Sequence, residues 1–100
     1  MIKHIVMWKL KDFAENANKQ ENLVAMKRLL DACGQIVTGI LKYETAIAQP
    51  DFEASYDIVL YAEFVSKAAL DVYNRHPQHQ ALKPFVAAVR EARQCIDYEI

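Results

Sequence analysis

Glycine and proline, the two residues that most often punctuate loops, number only two and three in this 100-residue chain, and cysteine occurs only twice. That scarcity excludes a low-complexity segment and a small domain stapled by disulfides. An excess of charge of one sign is also lacking: 12 Lys and Arg against 13 Asp and Glu leave a formal net charge of −1 and a pI of about 6.3. With acids and bases interspersed, no basic stripe is available to neutralise a phosphate backbone, and no nucleic-acid partner is expected. Nowhere do about eighteen apolar residues run together, and Met1 to Ile5 enters an alternating pattern at once, so neither a membrane partner nor a signal segment is expected and the chain reads as cytoplasmic. Cys33 and Cys95 lack the Cys-x-x-Cys spacing of redox and zinc sites and stand among apolar residues, which predicts buried free thiols. Phosphate loops, Ser-centred triads and flavin fingerprints are missing, and no cofactor is expected.

What the chain does have is apolar material, 53% hydrophobic and 10% aromatic, enough to bury the core of one domain spanning residues 1–100. Residues 2–10 alternate, with Ile2, His4, Val6, Trp8 and Leu10 on one face and Lys3, Ile5, Met7 and Lys9 on the other, which predicts a strand. From about Glu15 the spacing becomes that of a helix through Leu23, Met26, Leu30 and Cys33, with Gly34 placed as its C-cap. Val37 to Gln49 and Ser55 to Phe64 read as two strands separated by Pro50-Asp51, and they are expected to pair antiparallel. Ser66 can cap a helix running to Arg75, and Leu82, Phe85, Val86 and Val89 form another helical stripe in which Pro84 must kink the chain or start a new turn. Gln94 to Ile100 closes the sequence as a strand, with Cys95, Asp97 and Glu99 facing opposite to Ile96, Tyr98 and Ile100.

The order βαββαβ is that of an α+β, ferredoxin-like protomer, a four-stranded sheet with its helices on one side. The third strand is nonetheless apolar on both faces, Ile58, Leu60, Ala62 and Phe64 on one and Val59, Tyr61 and Val65 on the other. A monomer would leave an apolar sheet face in water, so a homodimer that joins two sheets into an α/β barrel is expected.

Chemistry is concentrated in Tyr73-Asn74-Arg75-His76-Pro77-Gln78-His79, which holds two of the three histidines. Pro77 suits the first position of a helix, which places His76 at the cap and His79 near the third helical residue. Free N–H groups and the positive end of the macrodipole disfavour a cationic imidazole there, and a neutral imidazole is what a general base needs at neutral pH. His4 shares its strand face with Val6 and Trp8. If that face looks toward the helices, it lines one cavity with Leu60, Ala62, Leu82 and Phe85, and His76 is a further candidate binding residue. His76 and His79 stand three apart, a spacing seen in metal sites, but no nearby cysteine or second carboxylate completes a set and no metal is expected.

Taken together, Ile2-Lys3-His4-Ile5-Val6 with Lys9-Leu10-Lys11-Asp12, the His-Pro-x-His core of Tyr73 to His79, and the closing Ile96-Asp97-Tyr98 resemble the stress-responsive dimeric α/β-barrel (Dabb) family over essentially the whole chain. The resemblance implies a ferredoxin-like protomer and a dimeric barrel. It does not imply one function, because some plant relatives are polyketide cyclases that close a ring by aldol chemistry, others are stress-associated proteins, and many bacterial relatives have no assigned role. In cyclase-type members the residues matching Tyr73 and His79 act in the site, with those matching His4 and Asp97 nearby. On the chemistry of these residue types, His79 is the candidate base or else a capping histidine, Tyr73 the candidate donor to a substrate carbonyl or else a core tyrosine, and Asp97 either orients His79 by accepting its second N–H or makes a surface salt bridge. Two readings stay open. One is a protein binding a small aromatic or polyketide-like molecule, as a cyclase or lyase; the other is a non-catalytic, stress-responsive structural dimer in which the histidines cap and pack.

Overall fold

The computed structural model describes residues 1–100. In chain order the elements are β1 (Ile2–Leu10), β2 (Phe13–Ala14), β3 (Ala17–Asn18), α1 (Lys19–Asp31), β4 (Ile40–Ile47), β5 (Ile58–Phe64), α2 (Lys67–Arg75), α3 (Pro77–Val89) and β6 (Arg90–Glu99). The main sheet is antiparallel in the order β4-β5-β1-β6, the ferredoxin-like α+β arrangement. No helix is long and apolar enough to cross a membrane.

Alternation in β1 becomes alternation in burial, with Ile2, His4, Val6, Trp8 and Leu10 all buried. Register carries this face across the sheet: His4 pairs with Ala62, Val6 with Leu60 and Trp8 with Ile58, all buried. Against them pack Leu23, Met26 and Leu30 of α1, Leu70 and Tyr73 of α2, and Leu82, Val86 and Val89 of α3, forming one continuous core. Each such side chain contributes about 1.5–3 kcal/mol by leaving water.

Several boundaries differ from the sequence reading. The first helix begins at Lys19 rather than near Glu15, because Glu15 and Asn16 adopt left-handed φ of 53° and 59° and turn a small β2–β3 hairpin. Asn18 then caps the helix, accepting from the Glu21 N–H at 2.8 Å while Glu21 accepts from the Asn18 N–H at 3.1 Å. The helix ends at Asp31, and Gly34 is not a left-handed cap. A Cβ at Gly34 would lie 3.1 Å from the Tyr43 ring, so its small size serves a close approach instead. The strands expected over 37–49 and 55–64 shorten to 40–47 and 58–64. The last strand instead lengthens, starting at Arg90 rather than Gln94. Entry into β5 is fixed by Asp57, whose carboxylate accepts from the Leu10 N–H at 2.8 Å. Pro84 lies inside α3 without ending it; both Pro84 and Gln80 are exposed, so the carbonyl that loses its donor faces water.

The two faces of the sheet are unequally covered. Helices lie over β4, β5 and β1, whereas nearly every residue of β6 is exposed, including Cys95, which corrects the expectation that both thiols are buried. Cys33 is buried as expected, and burial pushes its thiol up. On the side away from the helices, Ile5, Met7, Val59, Tyr61 and Ile96 form an apolar face joined by register, with Ile96 58% exposed and Met7 37%.

The tightest approach of loop to helix lies at Gly39, where an added Cβ would sit 2.4 Å from the Cβ of Ala69 in α2. Gly39→Ala should therefore destabilise the protein by about 1–3 kcal/mol through overpacking. A lowered urea midpoint with an unchanged slope checks this.

Candidate functional site

The break between α2 and α3 is built as its sequence predicts. His76 adopts an extended conformation, Pro77 opens α3, and the His76 Nδ1 accepts from the Gln78 N–H at 3.1 Å. His76 is thus occupied as a cap and does not line the cleft described below, contrary to its expected place in the site.

His79 lies within the first turn of α3, with its Nδ1 3.1 Å from the carbonyl oxygen of Asn74. A carbonyl can only accept, so Nδ1 carries the proton and the lone pair of the neutral ring resides on Nε2. Burial lowers the His79 pKa below its ordinary value, and the charges of Lys83, His4 and Arg93 lower it further against the opposing Asn74 hydrogen bond. A neutral imidazole with its tautomer fixed is the form a base requires.

Tyr73 is fully buried, and its ring centroid lies 4.6 Å from that of His79. Its hydroxyl is 2.9 Å from that of Tyr43, which in turn donates to the Leu30 carbonyl at 2.8 Å. Because the proton of Tyr43 is used on Leu30, the proton of Tyr73 points at Tyr43 and into the core. Burial pushes the Tyr73 phenol up to about 12, so it stays protonated. The expected donor to a substrate carbonyl is therefore engaged elsewhere.

Asp97 does not stand beside His79. It pairs in register with His4 across β1 and β6, and its carboxylate accepts from the His4 Nδ1 at 2.5 Å. The acid expected to orient His79 orients His4 instead, because antiparallel register places the two directly opposite on the helix side of the sheet. His4 in turn meets the edge of Tyr73 with ring centroids 6.3 Å apart. The four residues singled out from sequence thus form a connected row, Asp97, His4, Tyr73 and His79, in which only His79 lines an open cleft.

That cleft, about 490 Å³, lies between α3 and the start of β6, beside Trp8 of β1. Trp8, Leu82, Val86 and Ala87 supply its apolar wall, and His79, Lys83, Arg90 and Arg93 its polar one. Of the residues placed on the expected cavity between sheet and helices, Trp8 and Leu82 line this cleft at its edge. Val6, Leu60 and Ala62 do not, being 1%, 2% and 0% exposed in the solid core, and Phe85 packs against that core half-buried. The space between sheet and helices is filled, and the opening is at its edge. Sequence reasoning missed Lys83, Arg90 and Arg93. Lys83 is one turn beyond His79, and Arg93 pairs with Trp8, so the helical and strand periods were the signals available. No three His, Cys, Asp or Glu side chains gather as a metal site would require.

With this geometry in view, the model of the stress responsive A/B barrel domain family, Dabb, matches residues 2–100. The chain belongs to the Dabb family. Among solved structures it is similar to a dimeric ferredoxin-like protein of unknown function from Bacteroides fragilis, at 32% identity and a TM-score of 0.78, covering 99% of this chain and 95% of that one. A Dabb family protein with a ferredoxin-like fold from Mesorhizobium loti is 28% identical with a TM-score of 0.69, again over 99% and 95% of the two chains. A dimeric ferredoxin-like protein of unknown function from Jannaschia is 25% identical with a TM-score of 0.74, over 99% and 98%. No curated protein matches the chain.

For this Dabb domain the His79 ring should titrate below 6.5 when its C–H resonances are followed by NMR against pH. Its folded pKa is depressed, so the stability it contributes is present above 6.5 and is lost as pH falls through the folded pKa. His79→Gln should flatten that part of the stability profile. A ring titrating at or above 6.5 would contradict the assignment.

Proposed function

We propose that this Dabb protein is a homodimer that binds a small organic molecule in the cleft under α3, and that His79 removes an acidic proton next to a carbonyl, the opening step of a cofactor-independent aldol ring closure. The observation carrying this reading is the fixed tautomer of His79, which leaves Nε2 as the basic nitrogen at the margin of a cleft large enough for a ligand. In the step itself Nε2 takes the proton, the C–H electron pair becomes the enolate, and that carbon attacks a second carbonyl of the same molecule. The imidazolium then returns the proton to the alkoxide. Tyr73 acts as a positioning residue, its ring packed on that of His79, and His4 with Asp97 holds Tyr73 from the far side.

The test uses 3-oxooctanoate in D2O, with exchange of its C2 protons followed by NMR. The folded protein should accelerate exchange over buffer, and His79→Gln should remove the acceleration, about a hundredfold or more for a base of this kind. Equal exchange with wild type and variant would eliminate the base.

A second reading is favoured by one observation: the Tyr73 proton is directed at Tyr43, away from the cleft. In that reading the protein is a non-catalytic stress-responsive dimer, and His79→Gln changes stability but no conversion.

Both readings include the dimer, which is supported by the apolar face around Val59 and by similarity to proteins described as dimeric. Val59 pairs with Met7 at the middle of that face, so Val59→Asp would set two charges against each other across a two-fold axis. Sedimentation should give twice the 11.5 kDa chain mass for the wild type at micromolar concentration, and dissociation or unfolding for the variant. A well-folded wild-type monomer would rule the barrel out.

A further inference from the structure

The charges around the cleft are all of one sign. Lys83, Arg90 and Arg93 line it, no carboxylate does, and none of the three has an acidic partner within 4.0 Å, a condition they share with Lys3, Lys11, Arg28 and Arg75 but combine with convergence on one opening. In a chain of near-zero net charge, the fold here gathers one cation from the middle of α3 and two from the start of β6. Cations so placed focus a positive potential on the cleft, and Arg in particular is suited to forked hydrogen bonds with an oxyanion. Beside them stands a second, independent feature. Trp8, 5% exposed, lines the cleft, and its indole Nε1–H is the one buried side-chain polar atom without a hydrogen-bond partner. Native folds rarely leave such a donor unpaired, and an unpaired one marks a place where an acceptor belongs.

We propose that the cleft is an organic-anion site, in which Lys83, Arg90 and Arg93 hold an oxyanion head group while an apolar body lies against Trp8, Leu82 and Val86. This rests on the small-molecule reading above, and on nothing in the proposed role of His79 as a base. The ligand class is a carboxylic acid with a short apolar or aromatic body. The apolar wall accounts for the body, the three cations for the charge, and an acceptor oxygen gives the Trp8 N–H the partner the protein does not supply. Opening on the helix side of the sheet, the cleft lies on the opposite side from the apolar face around Val59.

Trp8 is the only tryptophan, so its indole N–H gives a single side-chain resonance in a 15N-labelled sample. That resonance is followed while the dimeric wild type is titrated with 3-phenylpropanoate, its neutral isostere 3-phenylpropanamide, and inorganic phosphate alone. The acid should shift the Trp8 N–H saturably and bind about tenfold or more tightly than the amide, with affinity falling as salt rises. Lys83→Gln, Arg90→Gln and Arg93→Gln, all at exposed positions, should each weaken the acid severalfold and together abolish its advantage over the amide. Equal binding of acid and amide, or indifference to the three substitutions, would overturn the anion assignment while leaving a small-molecule site standing. Phosphate binding as tightly as the acid would remove the apolar body from the proposal. If no compound moves the resonance, the small-molecule reading fails with it.

Discussion

Burying a tyrosine hydroxyl without a partner costs about 1–3 kcal/mol, and the fold meets that requirement at Tyr73 through a two-step relay to Tyr43 and the Leu30 carbonyl. The relay joins α2, β4 and α1 through one chain of hydrogen bonds. It also fixes the plane of the Tyr73 ring, on whose other contacts His4, Phe64 and His79 depend. With Tyr73 held, the short break at His76-Pro77 can deliver His79 to one place only, over the tyrosine ring and against the Asn74 carbonyl. The position of the candidate base is therefore a consequence of core packing.

The cleft follows from a mismatch of widths. One layer of helices covers β4, β5 and β1, and α3 ends by turning directly into β6 at Arg90, so β6 has no helix above it. Where a covered strand meets an uncovered one, the side chains of β1 that look toward the helices run out into a groove. Val6 lies under the covering layer and is sealed. Trp8, two residues on, is at its edge and becomes a wall.

Much of this was legible in the chain, and the legible parts share a cause. Alternation in residues 2–10, the Ser66 cap and the His76-Pro77 junction are set by local chemistry, so sequence alone placed them, and it placed the third strand to within three residues at its start. The hairpin at Glu15-Asn16 was missed because its turn uses two non-glycine residues at positive φ, and a continuing helical stripe is the more economical reading of the same letters. The partner of Asp97 was missed for a different reason. A carboxylate on the last strand can face His4 or His79, and only the register of β6 against β1 decides between them. The cations of the cleft were hidden likewise, since Lys83 lies on a helix and Arg90 and Arg93 on a strand, and they converge only when β6 pairs with β1. Composition even argued against them: a net charge of −1 conceals a local excess of positive charge.

Strand β1 links the two surfaces that matter most. Met7 projects into the apolar face and Trp8, the next residue, into the cleft wall, because successive side chains of a strand point to opposite sides. A dimer formed through Met7 and Val59 would leave the cleft open, so ligand could enter either protomer without dissociation.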